Sequence, residues 1–329
     1  MRQKFHIDFI GHSKIYFCIS LGIMVICLLC NLIFFPTQLD IEFTGGTILK
    51  YSYTGDVSES AISKTIQNAT DETVTFQYSQ NLAASANAKD DKIVSVEFTE
   101  TKAISVEAKT KITEALQKDF ADNNFKESQS TSVDPSKGLN FFLKCLVAVI
   151  IAALLMILYV GIRFRKIGGL SAGCMAVVAL VHDLIIIYFV FVMFRMPLDD
   201  NFIAVILVIL GYSLNDTIVI YDRIRENRKK AGPKTDIGEI VNNSINQCFM
   251  RTICTSITTL IAIGSVLVVS LVFNIESVVS FALPMMFGLI TGCYSSICIA
   301  CPLWVLWVKH SDKKKSAKRK NKKEVPAEA

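Results

Sequence analysis

Four ionisable side chains stand inside stretches of this chain that are otherwise apolar enough to lie in lipid: His182, Asp183, Asp216 and Arg251. Each costs about 2.5–3.5 kcal/mol to place at the centre of a membrane-spanning helix, so each needs a partner or a function. Asp216 lies in the polar run Gly211-Tyr212-Ser213-Leu214-Asn215-Asp216-Thr217. Arg251 lies on an i, i+4 row with Gln247, Thr255 and Thr259, flanked by Ser256 and Thr258. Two such seams facing each other, with Asn215, Thr217, Gln247 and Thr255 in support, would make a hydrated path holding one titratable carboxylate. The alternative is a static salt bridge holding the two helices together. His182-Asp183 follows Ala172, Ala176 and Ala179, a row that lets helices approach closely. It fits a proton relay and a hydrogen-bonded packing pair alike. In the last apolar run Pro284, Gly288, Gly292, Ser296 and Ala300 repeat every four residues. That row reads as a packing seam without chemistry.

Nothing else in the chain looks reactive. All ten cysteines fall in or beside apolar runs, and Cys27-x-x-Cys30 and Cys298-x-x-Cys301 lack a second matching pair, so neither a zinc site nor a disulfide framework is expected. No span or loop assembles a nucleophile, a base and a metal set. The sequence therefore predicts no enzyme, no cofactor and no metal centre.

The elements that position these residues are membrane spans. Of 329 residues, 52% are hydrophobic and 19% charged, below the charge content of soluble domains. A hydrocarbon core of about 30 Å needs about 20 apolar helical residues. Six runs qualify: 15–35, 140–160, 168–194, 202–221, 249–273 and 278–308. The first is too long for a cleaved signal peptide and lacks a small-residue cleavage site. Arg2, Lys4 and Lys14 precede span one. Arg163, Arg165 and Lys166 follow span two, and Arg223, Arg225, Arg228, Lys229, Lys230 and Lys234 follow span four. The positive-inside rule then puts residues 1–14 and the basic tail 309–329 in the cytoplasm and residues 36–138 outside. A basic tail could bind nucleic acid, ribosomal RNA or anionic lipid; the expectation here is a topogenic, lipid-facing tail and no nucleic-acid partner. Asp216 would sit about five residues from the inner end of span four, roughly 8 Å in. Arg251 would lie within about a turn of the inner end of span five.

Residues 36–138 read as strand, helix, strand, strand, helix, strand. Thr47–Tyr53, Thr73–Tyr78, Ile93–Phe98 and Lys126–Ser132 are the strands, and Ser58 caps a helix running to Ala69. The second helix opens at Ile104 or Ser105 and carries Ile112, Leu116 and Phe120. This order predicts an α+β ferredoxin-like (split βαβ) domain between the first two spans of an all-α bundle. With no His, no Cys and no phosphate loop, the domain reads as a binding or packing module.

Three stretches together resemble SecF proteins, the smaller subunits of the SecDF protein-translocation accessory complex. They are Leu39-Asp40-Ile41-Glu42-Phe43-Thr44-Gly45-Gly46-Thr47, Gly211 through Asn227, and Ser244 through Ser256. The six-span layout with one large loop after span one matches as well. This sequence carries Glu42 where the family usually has Asp. The resemblance implies a half-transporter of the RND superfamily in a bacterial plasma membrane. It also implies a SecD-like partner, association with the SecYEG channel, YajC and a YidC-type insertase, and a translocating polypeptide drawn outward by the proton motive force. In that reading Asp216 and Arg251 match the family's proton path. The motif Glu42, Phe43, Gly45, Gly46, Thr47 follows the first span. An RND-type small-molecule exporter half would show a larger, repeated external region. A passive scaffold for the Sec channel or insertase would be indifferent to Asp216.

Overall fold

The computed structural model describes residues 6–33, 37, 39–40, 43, 45–55, 57–70, 74–80, 92–98, 104, 106–133, 135–165, 168–232, 235–273 and 275–324. The chain opens with helix α1 (Ser13–Ile33). It continues through β1 (Gly46–Tyr53), α2 (Glu59–Ala69), β2 (Val74–Gln80), β3 (Lys92–Phe98), α3 (Val106–Asp119) and β4 (Lys126–Val133). Then come α4 (Pro135–Arg163), α5 (Gly169–Met193), α6 (Asp200–Lys230) and α7 (Ile237–Val272). A final span is built from α8 (Glu276–Ser295), a π-helical turn (Ser296–Ala300) and α9 (Cys301–Glu324). Six of these helical stretches are long and apolar enough to cross a membrane. Glu42, expected to open the Phe-Thr-Gly-Gly motif, lies outside the described residues.

The spans divide by burial. Few side chains of α1 and α4 are buried, whereas α5, α6 and the last span hold the packed centre. There Tyr221, Phe164, Trp304, Val241 and Ile245 form one fully enclosed cluster. The π turn has a local cause. Pro302 has no amide hydrogen to donate to the carbonyl of Cys298, and its ring crowds that carbonyl, so the preceding turn opens. Gly288 seats α8 against its neighbours. A Cβ there would come within 2.7 Å of Ile209 Cγ1 and 3.3 Å of Ile187 Cδ1, so any larger residue must push α8 or Ile209 aside.

Two helices run further than hydropathy implies. Expected to end at 221, α6 continues to Lys230, and α7 begins at Ile237 rather than 249. With 31 residues, α6 is about 46 Å long and so overshoots a hydrocarbon core by about 15 Å. The overshoot is held by polar contacts. Asp222 takes Arg163 at 3.2 Å and Arg225 at 2.6 Å, while Asn227 donates to Ser244 at 2.8 Å and to Gln247 at 2.9 Å.

The segment before α1 lies across the start of α7. Asn246 accepts from the Ile7 amide at 2.9 Å and donates to the Ile7 carbonyl at 2.8 Å. Asn242 accepts from the Phe9 amide at 2.8 Å, and His6 Nε2 meets Asn243 Oδ1 at 3.1 Å. Further along α1, Tyr294 donates to the carbonyl of Tyr16 at 2.9 Å.

The loop domain is a four-stranded sheet in the order β2-β3-β1-β4, with every neighbouring pair antiparallel. Burial alternates along β1 and β3, as a half-covered sheet requires. Leu49, Tyr51, Val94, Val96 and Phe98 face Ile62 and Ile66 of α2 and Ile112 and Leu116 of α3. Ser58 caps α2 by accepting from the Ala61 amide at 3.3 Å.

Candidate functional site

Asp216 sits midway along α6, 3% exposed, facing the bundle interior. Its Oδ2, with Thr252 Oγ1 and Ser256 Oγ on α7, is a buried polar atom without a hydrogen-bond partner among the described residues. Such a group is costly to leave unsatisfied, by about 1–3 kcal/mol. A carboxylate oxygen in this state can accept a proton without breaking an existing bond.

Arg251 lies on α7 within electrostatic reach of Asp216, yet the expected ion pair is not formed among the described residues. The reason is the face on which each stands. Asp216 is buried, but Arg251 is exposed together with Gln247, Thr255 and Thr258 on the outer side of α7. Asn215 and Gly211 are exposed on α6. The structure thus places a polar stripe on the outside of the bundle beside the buried carboxylate. Of the supporting residues, Gln247 accepts from Arg223 and Asn227 of the α6 extension. Thr255 turns its hydroxyl to the Arg251 carbonyl at 2.8 Å. Thr217 faces inward and donates to Ser296 at 2.9 Å.

His182 and Asp183 form a second buried centre. His182 Nδ1 lies 3.1 Å from Asp183 Oδ1, and Asp183 Oδ2 accepts from Ser213 Oγ at 2.9 Å and Ser295 Oγ at 2.7 Å. The two serines escaped the sequence reading, although Ser213 lies in the polar run around Asp216. Their signal is a hydroxyl on each small-residue face turned towards an intramembrane acid.

The motif after α1 anchors the loop domain. Phe43 is 5% exposed, packed on Ile187, Phe191 and Leu198, with its ring 5.8 Å from Phe141 and 5.5 Å from Phe142. Asp40 N donates to the Leu198 carbonyl at 3.1 Å. Gly45 (φ 81°) and Gly46 (φ 144°) take backbone conformations that other residues rarely adopt. Thr47 is fully buried and lies 3.0 Å from Ser132. Gly138, not anticipated from sequence, completes the seat. A Cβ there would lie 2.9 Å from the Phe43 carbonyl.

Comparison with known proteins bears on what this arrangement does. A family model described as "Protein export membrane protein SecD/SecF, C-terminal" matches residues 112–310. The chain is 31% identical to the protein translocase subunit SecF of Sebaldella termitidis, over 88% of each protein. It is 40% identical to the SecDF subunit of Bacillus subtilis, over 60% of this chain and 26% of that one. Among solved structures, SecDF from Thermus, described as a translocon-associated membrane protein, matches with a TM-score of 0.75 and 25% identity. The alignment covers 94% of this chain and 40% of that one.

Proposed function

Because this chain belongs to the SecF family of protein translocase subunits, we propose that it couples a proton gradient to late steps of protein translocation through a SecYEG-type channel, with Asp216 as the group that takes up and releases the proton. The buried, hydrogen-bond-free Oδ2 of Asp216 carries this reading. The outward stripe of Asn215, Arg251 and Thr255, with Gln247 just past its inner end, supports it. Polar groups exposed at span depth are unstable against lipid, so this face is where a SecD-like partner docks. Arg251 then stands at the rim of a water-lined seam between the two subunits and alternates between approaching Asp216 and leaving it. The chain works as a transport component and not as an enzyme.

The charge asymmetry of the short loops supports both termini in the cytoplasm of a bacterial plasma membrane. It also supports the loop domain on the outer side. We read that domain as a ferredoxin-like, split βαβ unit from its antiparallel 2-3-1-4 order with a helix after β1 and after β3. Contacts with YajC and a YidC-type insertase belong to the same reading.

Asp216→Asn keeps size and fixes the charge at zero. Expression and pairing with the SecD-like subunit should persist, and ATP-driven initiation in inverted vesicles should continue. The gradient-dependent late stage should vanish. Arg251→Ala should also lose that stage. A passive scaffold predicts near-normal secretion for Asp216→Asn. A mutant that still responds fully to collapse of the gradient would refute the assignment.

A further inference from the structure

Asp183 is completely buried, and the proton route above does not pass through it. Its Oδ1 faces His182 Nδ1, and its Oδ2 takes hydroxyl protons from two different helices, Ser213 on α6 and Ser295 on α8. The network continues on the far side of Ser213. Thr217 donates to Ser296 Oγ at 2.9 Å, and Ser296 donates to the Ser213 carbonyl at 3.0 Å. One carboxylate therefore ties α5 to α6 and to the last span. The tied residue on α6 stands three positions before Asp216, on the same helical face. Ser295 and Ser296 are adjacent yet reach α5 and α6 respectively, which the π turn beginning at Ser296 accommodates. Gly292 brings the last span close, since a Cβ there would lie 3.1 Å from Ser213 Cβ.

We propose that Asp183 is a positioning residue: through Ser213 and Ser295 it holds the α6 turn bearing Asp216 against the π turn, and so sets where the Asp216 carboxylate meets its proton. This rests on the reading of Asp216 as the proton site. The groups acting on the two acids are His182 on α5 and Arg251 on α7, with Tyr294 beside the His182 ring and Cys293 near Asp216 on α8. None of them replaces the two serine hydroxyls in joining α5 to both α6 and α8.

The test uses the full complex with its SecD-like partner in inverted vesicles. Translocation is split into a part that survives collapse of the proton gradient and a part that does not. Ser213→Ala with Ser295→Ala should leave yield and partner co-purification near wild type. The gradient-dependent part should fall on the order of tenfold or more, because misplacement by about 1 Å can cost a reacting group about a hundredfold. Ser213→Thr with Ser295→Thr, which keeps both hydroxyls, should restore it. The gradient-independent part is the internal reference. If the double alanine variant keeps the gradient-dependent part while Asp216→Asn abolishes it, positioning by Asp183 is refuted and the Asp216 assignment stands. If Asp216→Asn also keeps it, the Asp216 assignment itself has failed. If yield and pairing fall as far as activity, the network serves only assembly, and the proposal is equally overturned.

Discussion

A methyl group at Gly288 measures how tightly the last span is seated. The added Cβ would stand 2.7 Å from Ile209 Cγ1, 2.8 Å from Ile209 Cδ1 and 3.3 Å from Ile187 Cδ1. Carbon atoms in contact prefer about 3.5–4.0 Å, so α8 must move out by nearly an ångström or Ile209 must leave its rotamer. Overpacking of this kind costs about 1–3 kcal/mol. Replacing glycine by alanine also favours any helix by about 1 kcal/mol, which hides part of the clash. Gly211→Ala is the matching control, because Gly211 is exposed on α6 with nothing within 4 Å of the new atom. The propensity gain cancels between the two variants, leaving the clash alone. At about 2–4 °C per kcal/mol, Gly288→Ala should melt about 2–12 °C below Gly211→Ala. Cys293, Cys298 and Cys301 are buried free thiols, so once the more accessible Cys18, Cys27, Cys30, Cys145, Cys174 and Cys254 are replaced by serine or alanine, a thiol-reactive fluorogenic dye reports unfolding in mild detergent. Equal melting temperatures would mean that the last span does not depend on this contact.

Two other perturbations are as direct. Phe43→Ala should release the loop domain from its seat, since truncating a core Phe costs about 3–5 kcal/mol. Limited proteolysis between α1 and β1 should then accelerate at least about tenfold, and an unchanged rate would remove Phe43 as the anchor. Burial, and secondarily the Asp40 charge, hold the Glu97 carboxyl above its usual range. A carboxyl raised in the fold costs stability when ionised and costs nothing once protonated in both states. Glu97→Gln should therefore be more stable than wild type at neutral pH, with the gap closing as the pH falls below about 4. A gap that persists in acid points to packing instead.

Hydropathy and charge made the six spans legible, because a run such as Leu143 to Leu158 has few other places to lie. The same signal lost the ends of α6 and α7. Residues 222–230 and 237–248 are polar helix beyond the bilayer, and no transfer scale registers a helix once water can solvate it. Asp216 was recognisable from type and setting alone. The direction of Arg251 was not, since facing is a property of how α6 and α7 rotate against each other, and both carry polar residues on two sides. The Asp183 network was half visible: the acid and His182 declared themselves, but Ser213 and Ser295 are 82 positions apart and became partners only through packing. Pro302 was the one sequence mark of the π turn.

The strap formed by His6 to Phe9 across the start of α7 has a consequence for biogenesis. Its hydrogen bonds join residues 233 to 239 positions apart, so α1 is fastened by residues made long after it, with the rest of α7 and the last span still to follow. At about 5–20 residues per second of synthesis the interval is roughly 10–50 s. Throughout it α1 is held without this strap, with Leu21, Ile26, Leu32 and Ile33 turned outward as they remain in the finished fold. The amides of Ile7 and Phe9 reach Asn246 and Asn242 only once the start of α7 lies on the same side of the membrane as residues 6–9. Fastening of residues 6–9 thus marks a chain whose spans up to α6 have brought the start of α7 back beside them.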